Sequence, residues 1–145
     1  MANYMCAIRS NYFSVNDPEA FLAFMKRVYG SEEDVGVWES EGKFAFGCYG
    51  GICGLRVIAS DDVEECLYDD DEYDYDAFIE GLQHHLVEGD AILIAESGWE
   101  KLRYLIGGVE IITKTDSKHI NMHDVAISAA AEMLGLEVWN TKYQY

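Results

Sequence analysis

Between Val57 and Glu100 the chain carries fifteen Asp and Glu and no Lys or Arg. Ten of those acids crowd into DDVEECLYDDDEYDYD, from Asp61 to Asp76, with Tyr68, Tyr73 and Tyr75 threaded through the run. Carboxylates at this density repel one another and raise the free energy of any compact state. Three things can compensate: solvation of a flexible loop, a bound cation, or a partner with a basic surface.

The rest of the composition is that of an ordinary globular chain. Of 145 residues half are hydrophobic and 13% aromatic, which is far from the signature of disorder. A chain of this length buries roughly 70% of its unfolded surface, so residues 1–145 read as one domain. The net charge of −17 disfavours nucleic acid and anionic membrane as direct partners and favours basic proteins. No apolar stretch reaches membrane-spanning length. The opening MANYMCAIRS lacks the basic start and apolar run of a secretory signal. A cytoplasmic location is expected, with Cys6, Cys48, Cys53 and Cys66 as reduced, structural thiols.

Local patterns predict the elements. Tyr4 to Phe13 reads as a strand. Asp17-Pro18-Glu19 starts a helix with a cap, a proline at the first position and an acid in the first turn. Phe21, Leu22, Met25 and Val28 continue its apolar face as far as Gly30. Strands are expected over Val35–Glu39 and Lys43–Tyr49, with Phe44 and Phe46 on one buried face, and over Ile52–Ala59. A second helix starts near Asp74 or Asp76 and carries Phe78, Ile79, Leu82 and Leu86 inward. Ala91–Ala95 reads as a central strand, Glu96–Trp99 as a turn, and Lys101–Ile106 and Val109–Thr115 as strands around Gly107-Gly108. A last helix starts near Asn121, buries Val125, Ile127, Ala130, Met133 and Leu134, and ends at Gly135. A short strand is expected over Leu136–Trp139. The order predicts an α+β fold, a mainly antiparallel sheet with about three helices packed on it. The acidic 61–76 segment is its loop or helix lead-in.

Extended backbone over Asp69–Asp76 would project Asp70, Glu72, Asp74 and Asp76 from one face and Asp71, Tyr73 and Tyr75 from the other. Alternate strand residues stand about 6.6 Å apart, and DNA phosphates advance about 3.4 Å per strand. With Glu80, Glu88 and Asp90 nearby, the carboxylates would approach that charge density, and the tyrosines would offer flat contact surface. This is the logic of a nucleic-acid mimic. A solvated loop accounts for the same run. A calcium loop fits poorly, since Tyr75 stands where the sharp turn needs glycine.

Other chemistry is weaker. The cluster GCYGGICG lacks the Lys-Ser/Thr of a phosphate loop and reads as a tight turn or bulge. Cys48, Cys53, Cys66 and His84 or His85 lack a paired zinc hook. His119 and His123 lack the intervening Glu of a metalloprotease helix. Ser97 has no nucleophile-elbow pattern, because Ala95 breaks it. Neither an enzyme nor a cofactor or metal site is expected. Arg9, Glu96 and Arg103 at polar strand ends suggest a small-ligand or nucleotide pocket as the alternative site. A third arrangement is a self-assembling protein whose acidity keeps it soluble. Its mark would be an exposed apolar patch of several hundred Å2.

Two segments, RSNYFSVND (Arg9–Asp17) and ESGWEKLRYLIGG (Glu96–Gly108), resemble a group of small acidic proteins of phages, plasmids and other mobile elements. The resemblance assigns no activity to any residue. It implies a setting, accessory genes directed against host defence, in which acidic anti-CRISPR and anti-restriction inhibitors recur. The expected function is inhibition of a basic nucleic-acid-binding protein such as a CRISPR or restriction nuclease. The contact residues would be Tyr68, Asp69, Asp70, Asp71, Glu72, Tyr73, Asp74, Tyr75 and Asp76.

Overall fold

A computed structural model describes residues 5–56, 73–101 and 104–141 of the chain. The order is β1 (Met5–Ser10), α1 (Pro18–Met25), β2 (Val28–Gly30), β3 (Gly36–Ser40), β4 (Lys43–Tyr49), β5 (Ile52–Arg56), β6 (Tyr73–Asp74), α2 (Tyr75–His85), β7 (Ile92–Glu100), β8 (Tyr104–Ile112), β9 (Ser117–Asn121) and α3 (Met122–Leu134). Six strands form one antiparallel sheet in the order β3-β4-β1-β7-β8-β9, and three form a second in the order β2-β5-β6. The fold is α+β.

The helix starts follow from their caps. The Asp17 carboxylate accepts from the Ala20 N–H at 3.2 Å ahead of Pro18. The Asp74 carboxylate does the same for Ala77 at 2.9 Å, and the Asn121 side chain for His123 at 2.9 Å. Each satisfies an N–H that the first turn leaves open. At the end of α3, Gly135 adopts φ 71°, and the N–H groups of Gly135 and Leu136 reach back to Glu132 and Ala131, the Schellman arrangement. Lys114 closes α2 differently: its ammonium donates to the carbonyls of Gln83, His84 and Leu86, where the helix dipole is negative.

Between α1, α2 and one face of the larger sheet lies an aromatic core. Phe13, Phe21, Phe46 and Phe78 are fully buried. Phe13 meets Phe21 edge-on at 5.6 Å and Phe46 at 6.0 Å, and Phe46 meets Phe78 at 5.9 Å, the separations aromatic pairs prefer. Phe44 and Phe46 share the buried face, as their alternation predicts. Val28 and Leu55 bring the second sheet into the same core.

Several local expectations are corrected. Helix α1 stops at Met25, and Val28–Gly30 pairs with β5 instead. Val28 fits the periodicity of the helix, but the unpaired edge of β5 claims it, and a β-branched residue suits that half-buried place. Glu96–Trp99 is not a turn: β7 runs on to Glu100 and pairs with β8 without a break, through Gly107 and Gly108. Those glycines leave room for neighbours, since a methyl on Gly107 would stand 2.8 Å from the Met122 sulfur. Strand β9 is a short polar edge that no apolar alternation announces. Finally, α3 buries only part of its expected face: Ile127 and Ala130 are half-buried, and the other three are exposed. Val125, Met133 and Leu134 are 54%, 87% and 58% exposed, and Ala131 is the buried residue of the helix. Among the described residues, Leu136–Trp139 forms no strand.

Candidate functional site

The acidic run is held at its C-terminal end by backbone pairing. Arg56 pairs with Tyr73 and Leu55 with Asp74, so segment 57–72 leaves and re-enters the fold at cross-strand neighbours. Gly54 makes the pairing possible. It sits at φ 127°, and a Cβ there would lie 2.6 Å from the Asp74 carbonyl. The Tyr73 ring lies against Tyr29 at 5.7 Å, and the Arg56 guanidinium stands 5.5 Å from the Tyr29 ring centre. Tyr75 packs on Phe78 at 5.6 Å. Burial, then the charges of Glu110 and Glu96, push its phenol pKa up, so it remains a neutral hydrogen-bonding group. Both tyrosines are 40% exposed.

This geometry corrects the picture of one extended acidic strand. Among the described residues the extended backbone ends at Asp74, and the helix begins at Tyr75. Asp74 and Asp76 therefore do not project as strand neighbours. Asp74 is the helix cap, and Asp76 lies in the first turn, where a carboxylate favours the dipole. Glu88 and Asp90 lie past the far end of α2, about 16 Å along the helix from Asp74. Asp90 is engaged there with the N–H groups of Ser14 and Ala91. Tyr68, Asp69, Asp70, Asp71 and Glu72 lie outside the described residues.

Arg9 and Glu96 do not form a pocket together. The β1–β7 register sets Arg9 opposite Ala95 and Ile8 opposite Glu96, which sends the two side chains to opposite faces. Arg103 lies outside the described residues. Arg9 instead stacks on Trp38, its guanidinium carbon 4.7 Å from the ring centre, and leans on Tyr12 at 5.9 Å. The indole lies over Gly36 and Gly47, within 3.4 Å of where their Cβ atoms would be. A groove of about 350 Å3 opens beside it, with Tyr49, Glu33 and Asp34 at its rim.

Several of the other sequence candidates have structural places, and Cys66 lies outside the described residues. The glycine cluster is the β4–β5 turn, with Gly50 at φ 82° and the Gly51 N–H on the Ser31 hydroxyl. Burial, with Glu33 next in weight, pushes the Cys48 thiol up to about 11, so it is protonated and unreactive at neutral pH. His85 packs on Phe24 at 5.0 Å and Phe21 at 6.1 Å. Among the described residues no three His, Cys, Asp or Glu gather as a metal site, and no helix is long and apolar enough to cross a membrane.

One feature escaped sequence reasoning. Cross-strand registers put Trp38, Lys43, Tyr49, Met5, Arg9, Leu93, Trp99, Leu105, Val109 and Lys118 on the face opposite the aromatic core. No Asp or Glu occupies any strand position of that face, in a chain with 27 of them. The opposite face carries Glu39, Glu96, Glu100 and Glu110. The signal was present as alternation in each strand, but only the register adds the strands together. Compared with known proteins, the chain matches no family model, no curated protein and no solved structure.

Proposed function

We propose that the protein inhibits a basic nucleic-acid-binding protein, of the CRISPR or restriction nuclease type, by presenting carboxylates where that protein expects phosphates. The observation that carries this reading is the closure of the acid-rich segment on the β5–β6 pair. Tethering at both ends lowers the entropy lost when such a segment meets a partner. Two of the chain's ten cations are engaged elsewhere among the described residues: Lys114 with helix carbonyls and Arg9 with aromatic rings. Tyr73 and Tyr75, both part-exposed beside Asp74 and Asp76, add contact area at small rotamer cost. A nucleotide site built from Arg9, Glu96 and Arg103 is not proposed, since the first two face opposite sides of the sheet.

The test starts with a bacterial lysate passed over the protein at low and high salt. Each nuclease released by salt is then assayed for cleavage with the parent and with a variant carrying Asp70→Asn, Asp71→Asn, Glu72→Gln and Asp74→Asn. Asn retains capping ability at position 74, so the variant removes charge and keeps the fold. Inhibition by the parent and none by the variant is the expected result. Equal inhibition by both would sink the mimic.

A further inference from the structure

The acid-free face of the six-stranded sheet is an exposed apolar surface on a highly anionic body. Met5, Trp99 and Leu105 stand side by side in one cross-strand row, each about half exposed. Tyr49 is 70% exposed and Trp38 42%. Helix α3 stands over the β8–β9 end and leaves an apolar cleft of about 450 Å3 beneath it, between Val109, Ile120 and Val125. The His123 ring pins the helix start to the Leu105 carbonyl.

We propose that this face pairs with the same face of a second copy of the chain, giving a twofold dimer. Charge selects the occupant. A basic protein finds no carboxylate on these strands to pair with. Nucleic acid would have to approach a body of charge −17 for the sake of Arg9, Lys43 and Lys118. A second copy brings a face that is equally free of carboxylates. In a twofold, self-complementary contact the same apolar row of each copy faces the other. Area agrees. Large side chains offer roughly 150–250 Å2 each, so half-exposure of six of them leaves on the order of 600 Å2. Arg9 and the small residues between them bring the face near the roughly 800 Å2 per partner of a standard interface.

Analytical ultracentrifugation of the full chain tests the dimer at about 0.05 and 0.5 M salt, where the screening length falls several-fold. Two anionic bodies joined by apolar faces associate more tightly as salt rises. Trp99→Glu with Leu105→Glu sets carboxylates in the centre of the contact and weakens it about 100-fold or more. Met5→Glu serves as the second variant should that pair fail to fold by circular dichroism. Lys26→Glu on the helical side, which adds charge away from the face, changes association by less than about threefold. A parent that is monomeric at both salt concentrations overturns the proposal. So does a dimer that weakens with salt, or one that survives carboxylates at positions 99 and 105 or at position 5.

Discussion

The two faces of the six-stranded sheet are built from alternate residues of the same strands, yet they have opposite chemistry. One is sealed by α1 and α2 around four fully buried phenylalanines, and it carries the strand glutamates, Glu39, Glu96, Glu100 and Glu110. The other is half open, aromatic and free of carboxylates. A chain of −17 cannot scatter its charge at random without placing acids on both faces. It places them on helices, turns, one face and the segment between β5 and β6. The difference separates two kinds of contact by their response to salt. Association through the acidic side weakens as salt rises, and association through the open face strengthens.

The largest expected effect tests whether the faces differ as described. Phe78 is fully buried and touches Phe24, Phe46 and Tyr75. Phe78→Ala should cost about 3–5 kcal/mol in urea denaturation, from lost transfer energy plus the cavity left behind. Trp99→Ala removes a larger side chain, but one that is already half exposed. At low protein concentration and low salt it should cost about 1 kcal/mol or less. Equal costs would mean that the second face is as sealed as the first.

Next in size is the anchor of the acidic segment. Gly54→Ala forces a side chain into φ 127° and against the Asp74 backbone, which should cost about 1–3 kcal/mol. The damage should be local to β6. Limited proteolysis should therefore cut more readily between 57 and 72, while the open face keeps its dimer. A variant as resistant as the parent would show that the β5–β6 pairing does not hold the segment.

A smaller effect separates structure from charge within the acidic run. Asp74→Ala removes the α2 cap and should cost about 1 kcal/mol, whereas Asp74→Asn should cost almost nothing. Any loss of partner binding in the Asn variant is then a loss of charge. If both substitutions destabilise equally, the carboxylate does more at position 74 than accept the Ala77 N–H.

The legibility of the sequence follows the range of the forces involved. Asp17-Pro18, Asp74, Asn121 and Gly135 announce helix ends because a cap acts within three residues. Phe44 and Phe46 announce a buried face because strand alternation is local. Val28 and the polar strand Ser117–Asn121 did not announce themselves, since each is a strand only because a distant edge pairs with it. Gly107 and Gly108 read as a break, and are instead space for Met122 and His119. On α3 the spacing of Val125 and Met133 predicts burial, but nothing in a helix sequence says how closely the sheet approaches. The acidic run was visible at once as composition. The acid-free face was not, because it exists only when six registers are aligned.

The smallest expected effect concerns the sealed side alone. His85 lies against Phe21 and Phe24, with His84, Asp17 and Lys114 around it. Burial, then His84, lower its pKa below the ordinary histidine value; Asp17 opposes the shift and Lys114 adds to it. In the unfolded chain His85 takes up its proton near pH 6.5, and in the folded chain only at lower pH. Over that interval the unfolded state binds more protons, so stability falls as pH drops through about 6.5 towards the folded value and falls no further below it. Urea midpoints from about pH 7.5 to 5.5 should therefore decline more steeply for the parent than for His85→Gln. Protonation of the carboxylates acts on both proteins and drops out of the difference. Equal slopes would mean that the ring is solvated enough to titrate alike in both states, and that the sealed face is looser at its α2 end than at Phe78.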